Sequence, residues 1–112
     1  MVTNSAYGLL LTGIGVVAGT MRNSIAASNG QYGVYSDVTQ AYFTVEASSI
    51  VANLIDGIIT NSAGSNLNVT ASTISGNGTG VKATAGSLIS FGNNQMSANG
   101  SDGNFTSTKA LR

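Results

Sequence analysis

The chain contains no cysteine and no histidine. Without cysteine there are neither disulfides nor thiolate zinc sites, and the redox compartment is left open; without histidine the commonest general base and metal ligand is also missing. Charge is scarce as well. Only 7% of the 112 residues are charged, four of each sign, where ordinary soluble proteins carry about 25%. The cations Arg22, Lys82, Lys109 and Arg112 make no basic stripe, so neither nucleic acid nor a membrane surface is an expected partner. Long apolar runs are lacking too: Gly8 to Leu11 and Ile14 to Ala18 are broken by Gly13 and Gly15, and no cationic segment precedes them, which fits neither a signal peptide nor a spanning helix.

What is present is 42% hydrophobic residues at zero net charge, together with 15 glycines and many Ser, Thr and Asn. That balance predicts a folded chain whose solubility rests on uncharged polar groups. The length suits one domain, residues 1–112.

The sequence repeats. Ile25, Ile50, Ile74 and Met96 follow one another at separations of 25, 24 and 22 residues. After each comes an Asn (Asn29, Asn53, Asn77, Asn99) and then a Gly (Gly33, Gly57, Gly80, Gly103), and the first three glycines precede Val34, Ile58 and Val81. Tyr7-Gly8-Leu9 matches Tyr32-Gly33-Val34, so an incomplete coil precedes the four. Alternating pairs lie seven and five residues ahead of three markers: Phe43 and Val45, Leu67 and Val69, Ile89 and Phe91. Period two means strand. In the earliest copy Ala18 and Thr20 hold those places, a weaker match that predicts a bulge or a shift by one near Val16-Val17.

Three strands per coil make a prism, and copies stacked about 4.8 Å apart would align the repeated positions into interior columns. One column is expected from Ile25, Ile50, Ile74 and Met96, another from Leu9, Val34, Ile58 and Val81. The fold class is therefore all-β: a right-handed single-stranded parallel β-helix of four to five coils with a period of 22–25 residues. Its coils run roughly 1–17, 18–41, 42–64, 65–86 and 87–106, with a polar tail at 107–112. A leucine-rich repeat has a compatible period but a denser Leu pattern, and an antiparallel sandwich does not require three markers in phase.

The segment Leu67-Asn68-Val69-Thr70-Ala71-Ser72-Thr73-Ile74-Ser75-Gly76-Asn77-Gly78-Thr79-Gly80-Val81 resembles the coils of the pectate-lyase-like right-handed β-helix superfamily, and the likeness covers residues 7 to 105. It is a likeness of repeat architecture. That superfamily includes lyases, hydrolases, adhesins and phage tailspikes, so the resemblance implies a fold, and an extracellular or cell-surface location, without implying an activity.

No catalytic, cofactor-binding or metal-binding residues are expected. The four asparagines read as a structural amide ladder beside a left-handed turn. The sequons at Asn68, Asn77, Asn99 and Asn104 arise readily by chance in so Asn- and Thr-rich a chain. Asp56 and Asp102 are expected at one coil position, two coils and thus about 9 to 10 Å apart, while Asp37 and Glu46 join no acidic group. Arg22 and Glu46 can meet across adjacent coils as a surface pair. The tyrosines Tyr7, Tyr32, Tyr35 and Tyr42 are the candidate contact residues, for a glycan or for a subunit interface, since an aromatic ring with a polar tip suits both. With no capping unit legible at either end, a homo-oligomer joined end to end or side by side is expected. The functional expectation is a non-enzymatic structural or interaction module; the alternative is a carbohydrate-binding or polysaccharide-lyase-like module.

Overall fold

The computed structural model describes residues 2–109, and the residues of the predicted tail beyond Lys109 lie outside it. Among the described residues every regular element is a strand. Five short ones, β1 (Val2–Thr3), β3 (Ile25–Ala27), β5 (Ser49–Val51), β7 (Thr73–Ser75) and β9 (Gln95–Ser97), form a parallel sheet in that order. Four long ones, β2 (Tyr7–Arg22), β4 (Tyr32–Glu46), β6 (Asp56–Thr70) and β8 (Thr79–Ser90), form a second with β10 (Ser101–Gly103), in the order β10-β8-β6-β4-β2, and β11 (Ser107–Thr108) also pairs with β8. This is a parallel β-solenoid of about four turns.

The long strands account for the prism. Sixteen extended residues at about 3.3 Å each would reach roughly 50 Å, yet the molecule measures at most 32 Å along any axis. Each long strand must therefore turn a corner. The pairing registers mark where: β2 against β4 shifts between Gly13 and Val16, and β6 against β8 shifts between Thr60 and Asn66. Gly13 and Gly15 sit at φ of 105° and 130°, a backbone open to glycine and closed to most other residues. One long strand thus supplies two faces and one short strand the third.

The core is a set of columns running through the stack. Leu9, Val34, Ile58 and Val81 align as the repeat predicts, the last three at 1% exposure or less. Each such buried aliphatic side chain contributes about 1.5–3 kcal/mol relative to exposure. Four other columns are displaced from the predicted positions in at least one coil. The first runs Ala26, Ile50, Ile74, Met96, so that Ala26 is interior and Ile25 pairs with Ser49 at 39% exposure. By residue type Ser24-Ile25 matches Ser49-Ile50, whereas the coil is 24 residues long and stacks Ser24 under Ser48.

In the coil expected at 87–106 the inward residues are Leu88 and Ser90, not Ile89 and Phe91. The corner following β8, Phe91 to Asn94, is one residue longer than its counterpart Thr70 to Ser72, and a one-residue change flips every strand side chain counted through it. In the earliest copy Gly19 lies under Phe43 and Met21 under Val45 in place of Ala18 and Thr20, the same one-residue offset that separates Ala26 from Ile25, while the expected bulge lies upstream, between Gly13 and Val16. Finally, the column of glycines runs Gly8, Gly33, Gly57, Gly80 and then Asp102, since Ser101 pairs with Thr79 and Gly103 with Val81. Gly103 is not its fifth member.

Candidate functional site

The polar side chains of the stack are first of all structural. Asn29, Asn53 and Asn77 are buried and Asn99 is half-buried. The Nδ2 of each donates to the Oδ1 of the next at 2.9, 2.9 and 3.1 Å. That same Oδ1 accepts the backbone N–H of the preceding Asn at 3.1, 2.9 and 2.9 Å. The second hydrogen of each Nδ2 reaches back to a carbonyl one coil earlier, on Val2, Ala26, Ile50 and Ile74 in turn. Every amide is thereby satisfied without water, which buried polar groups require. The left-handed turn lies one residue before each Asn, at Ser28, Ala52, Gly76 and Ala98. Three of these four lack glycine's freedom, so the stacked ladder holds them at an angle that costs on the order of 1 kcal/mol each.

A second column was missed in the sequence although its period is visible there. Ser24, Ser48 and Ser72 are 24 residues apart. Ser48 Oγ accepts the Ser24 N–H and Ser72 Oγ the Ser48 N–H, both at 3.2 Å, while Asn94 Oδ1 closes the column on Ser72 at 3.0 Å. Each serine hydroxyl in turn donates to the carbonyl two residues before it.

Three of the four tyrosines gather. Tyr7 and Tyr32, paired across β2 and β4, stack with centroids 5.7 Å apart and planes 23° off parallel. Tyr35 sits edge-on to Tyr7 at 5.6 Å and tilted against Tyr32 at 4.9 Å. Asn61 Nδ2 donates to its hydroxyl at 3.1 Å. Tyr42 stands apart, 53% exposed, with Gln40 Nε2 donating to its hydroxyl at 2.6 Å.

The stacked pair continues into a carboxylate, because Tyr32 pairs with Asp56 and Asp56 with Thr79. Burial raises the Asp56 pKa, partly offset by the Lys82 charge and a hydrogen bond to Thr79. Tyr32 is raised too, by burial first and then by the Asp56 charge. A carboxyl raised in the folded state stabilises the fold below its ordinary pKa of 3.8 and loses that contribution as pH rises through the higher folded value. Asp56→Asn is therefore expected to raise the melting temperature near neutral pH and to leave it unchanged in acid below that ordinary pKa. Thermal melts of both proteins across that range check the sign, and a variant that melts lower at neutral pH contradicts it.

The remaining carboxylates stay separate. Asp37 is exposed, and Glu46 forms an exposed ion pair with Arg22 Nε across adjacent coils. Asp102 belongs to the glycine column and not to that of Asp56, where Ser101 stands. The shared coil position expected for the two acids is thus overturned; the Asn99-to-Asp102 spacing follows the shorter Asn77-to-Gly80 one. Among the described residues no group of three or more acidic side chains comes together as a metal cage. The sequons at Asn77 and Asn99 have their amide nitrogens engaged in the ladder.

The two ends of the stack differ. At the N-terminal end a cavity of about 400 Å³ opens among Val2, Leu9, Met21, Ile25 and Phe43, where small Gly19 and Ala26 stand at inward positions that hold Phe43 and Ile50 one coil later. The outer edge of β2 has no pairing strand among the described residues. Leu10, Ile14 and Val16 on that strand are 43%, 98% and 64% exposed. At the other end Phe105 packs on the core and β11 returns to β8, a closure that the sequence did not reveal. Compared with family models, with curated proteins and with solved structures, the chain gives no match.

Proposed function

We propose that the chain is a non-enzymatic structural or interaction module that associates with copies of itself, built on a coil of the pectate-lyase-like kind. The observation that carries this reading is the N-terminal end, where, among the described residues, core side chains line an open cavity beside a 16-residue edge strand. The only charge on that strand, Arg22, is already paired with Glu46. Soluble proteins usually blunt such an edge with charge, proline or a covering element, because its free N–H and C=O groups accept further strands. Light scattering on dilute purified protein is expected to give a mass above the 11.2 kDa of one chain. A single-chain mass over a wide concentration range overturns the reading.

A second reading is supported by the Tyr7, Tyr32 and Tyr35 cluster, whose rings provide a surface on which a sugar face can stack. Asp56 and Lys82 lie at its margin. A glycan array read together with a calcium titration separates the two: binding that is lost in Tyr35→Ala favours a carbohydrate module, and a blank array favours self-association alone.

A further inference from the structure

Each interior glycine is required by the coil that follows it. A Cβ on Gly33 would stand 2.6 Å from the Gly57 carbonyl oxygen, 2.6 Å from Ile50 Cγ2 and 2.8 Å from Asn53 Nδ2. On Gly80 it would stand 2.6 Å from Met96 Cε, 2.8 Å from the Asp102 carbonyl oxygen and 3.1 Å from Asn99 Nδ2. The next carbonyl of the column and the next ladder amide crowd the site at Gly8, Gly33, Gly57 and Gly80 alike, and at Gly8, Gly33 and Gly80 the next inward apolar side chain does so as well. The fifth member of the column, Asp102, does carry a Cβ. A further coil of this form has no room to seat on it.

Asp102 also ends the amide ladder. Asn29, Asn53 and Asn77 each donate an Nδ2 hydrogen to the Oδ1 of the following Asn. Asn99 donates that hydrogen to Asp102 Oδ1 instead, at 3.1 Å. The carboxylate takes the acceptor's place that the next coil would otherwise fill. Both the space and the hydrogen bond that a following coil needs are used up by this one side chain.

Among the described residues nothing equivalent is built at the N-terminal end. There the first coil offers Val2 in the column of Ala26, and Ser5 donates its N–H to Asn29 Oδ1 in the manner of the later asparagines. The cavity and the free β2 edge complete that surface. A head-to-tail contact would have to seat this end on Asp102.

Resting on the self-association proposed above, we infer that Asp102 is a stop rung for the stack, so that two copies of this chain join through their N-terminal ends as a closed two-fold pair. Pairing β2 with its symmetry mate is antiparallel, satisfies both edges at once and leaves the closed ends outward. An interface of this isologous type ends at two subunits, whereas a head-to-tail one propagates into a fibre.

Light scattering on the full chain and three variants tests this. The wild-type protein is expected at twice the 11.2 kDa chain mass, with no larger species as concentration rises. Asp102→Ala keeps a Cβ and stays a dimer. Asp102→Gly opens the column and grows into species above the dimer. Ile25→Asp, at the rim of the end cavity and 39% exposed, gives a single-chain mass with an unchanged far-UV circular dichroism spectrum. Open-ended growth of the wild type, or Asp102→Gly remaining a folded dimer, overturns the stop rung while leaving self-association intact. A folded Ile25→Asp dimer overturns the N-terminal contact, and it decides the matter alone where Asp102→Gly loses its strand signal. A wild-type monomer overturns the proposed function as well.

Discussion

Ile74→Asp is expected to abolish the fold. Ile74 is fully buried and sits between Ile50 and Met96 in one interior column. The substitution strands a carboxylate with no cation in reach, replacing contacts to the coils above and below. Burying an unpaired polar group costs several kcal/mol, and an ionised one more, against a typical whole-domain stability of about 5–15 kcal/mol. Far-UV circular dichroism of the variant should lose its strand signal at room temperature. The informative control is Ile25→Asp, which places the same charge two coils earlier at a residue whose side chain points out of the core; it should keep the strand signal. If Ile74→Asp melts at the wild-type temperature, Ile74 is not interior and the register of the stack is wrong.

Asn53→Ala is expected to cost nearly as much without introducing any charge. Asn53 Oδ1 accepts from both the backbone N–H and the Nδ2 of Asn29, at 3.1 and 2.9 Å. Its own Nδ2 donates to the Ala26 carbonyl at 3.1 Å and to Asn77 Oδ1 at 2.9 Å. Truncation therefore orphans groups in two neighbouring coils, in a place closed to water. Each buried group left without a partner costs about 1–3 kcal/mol, so a total of several kcal/mol is expected. In a urea titration the midpoint should fall with the slope unchanged, the sign of lost stability rather than of a changed unfolded state. Asn99→Ala, at the half-buried last rung, should cost less. Equal midpoints for Asn53→Ala and the wild type would mean that the ladder contributes nothing to stability.

The sequence revealed the architecture and part of the register. Where a coil keeps a regular length, the columns are legible: Leu9 to Val81, Phe43 over Leu67, and all four ladder asparagines stand where the repeat puts them. Errors entered wherever a corner gained a residue or a dipeptide matched out of phase, as at Ile25, Ile89 and Gly103. Identity of residue type is a poor guide to phase when Ser, Ile and Gly are all abundant, whereas hydrogen bonding to the neighbouring coil admits one alignment only. The tyrosine cluster was half visible: Tyr7 and Tyr32 share a coil position in the sequence, but the approach of Tyr35 depends on how its ring leans. Asp102 was legible as a carboxylate and illegible as the end of a column, because its meaning comes from four preceding glycines whose next coil leaves no space for a Cβ.

The 24-residue spacing of the ladder bonds carries a consequence for how the chain reaches this state. Among the described residues the fully buried side-chain hydrogen bonds all join residues 24 to 29 apart, so each coil takes much of its shape from a neighbour. Assembly of such a stack is a propagation problem: one costly pair of adjoining turns must form before later turns can add, and each addition closes a loop of similar length. Folding should accordingly be slow for a chain of this size. Amide exchange in the native state should be slowest in β4 and β6, which are flanked on both sides, and faster toward both ends of the stack.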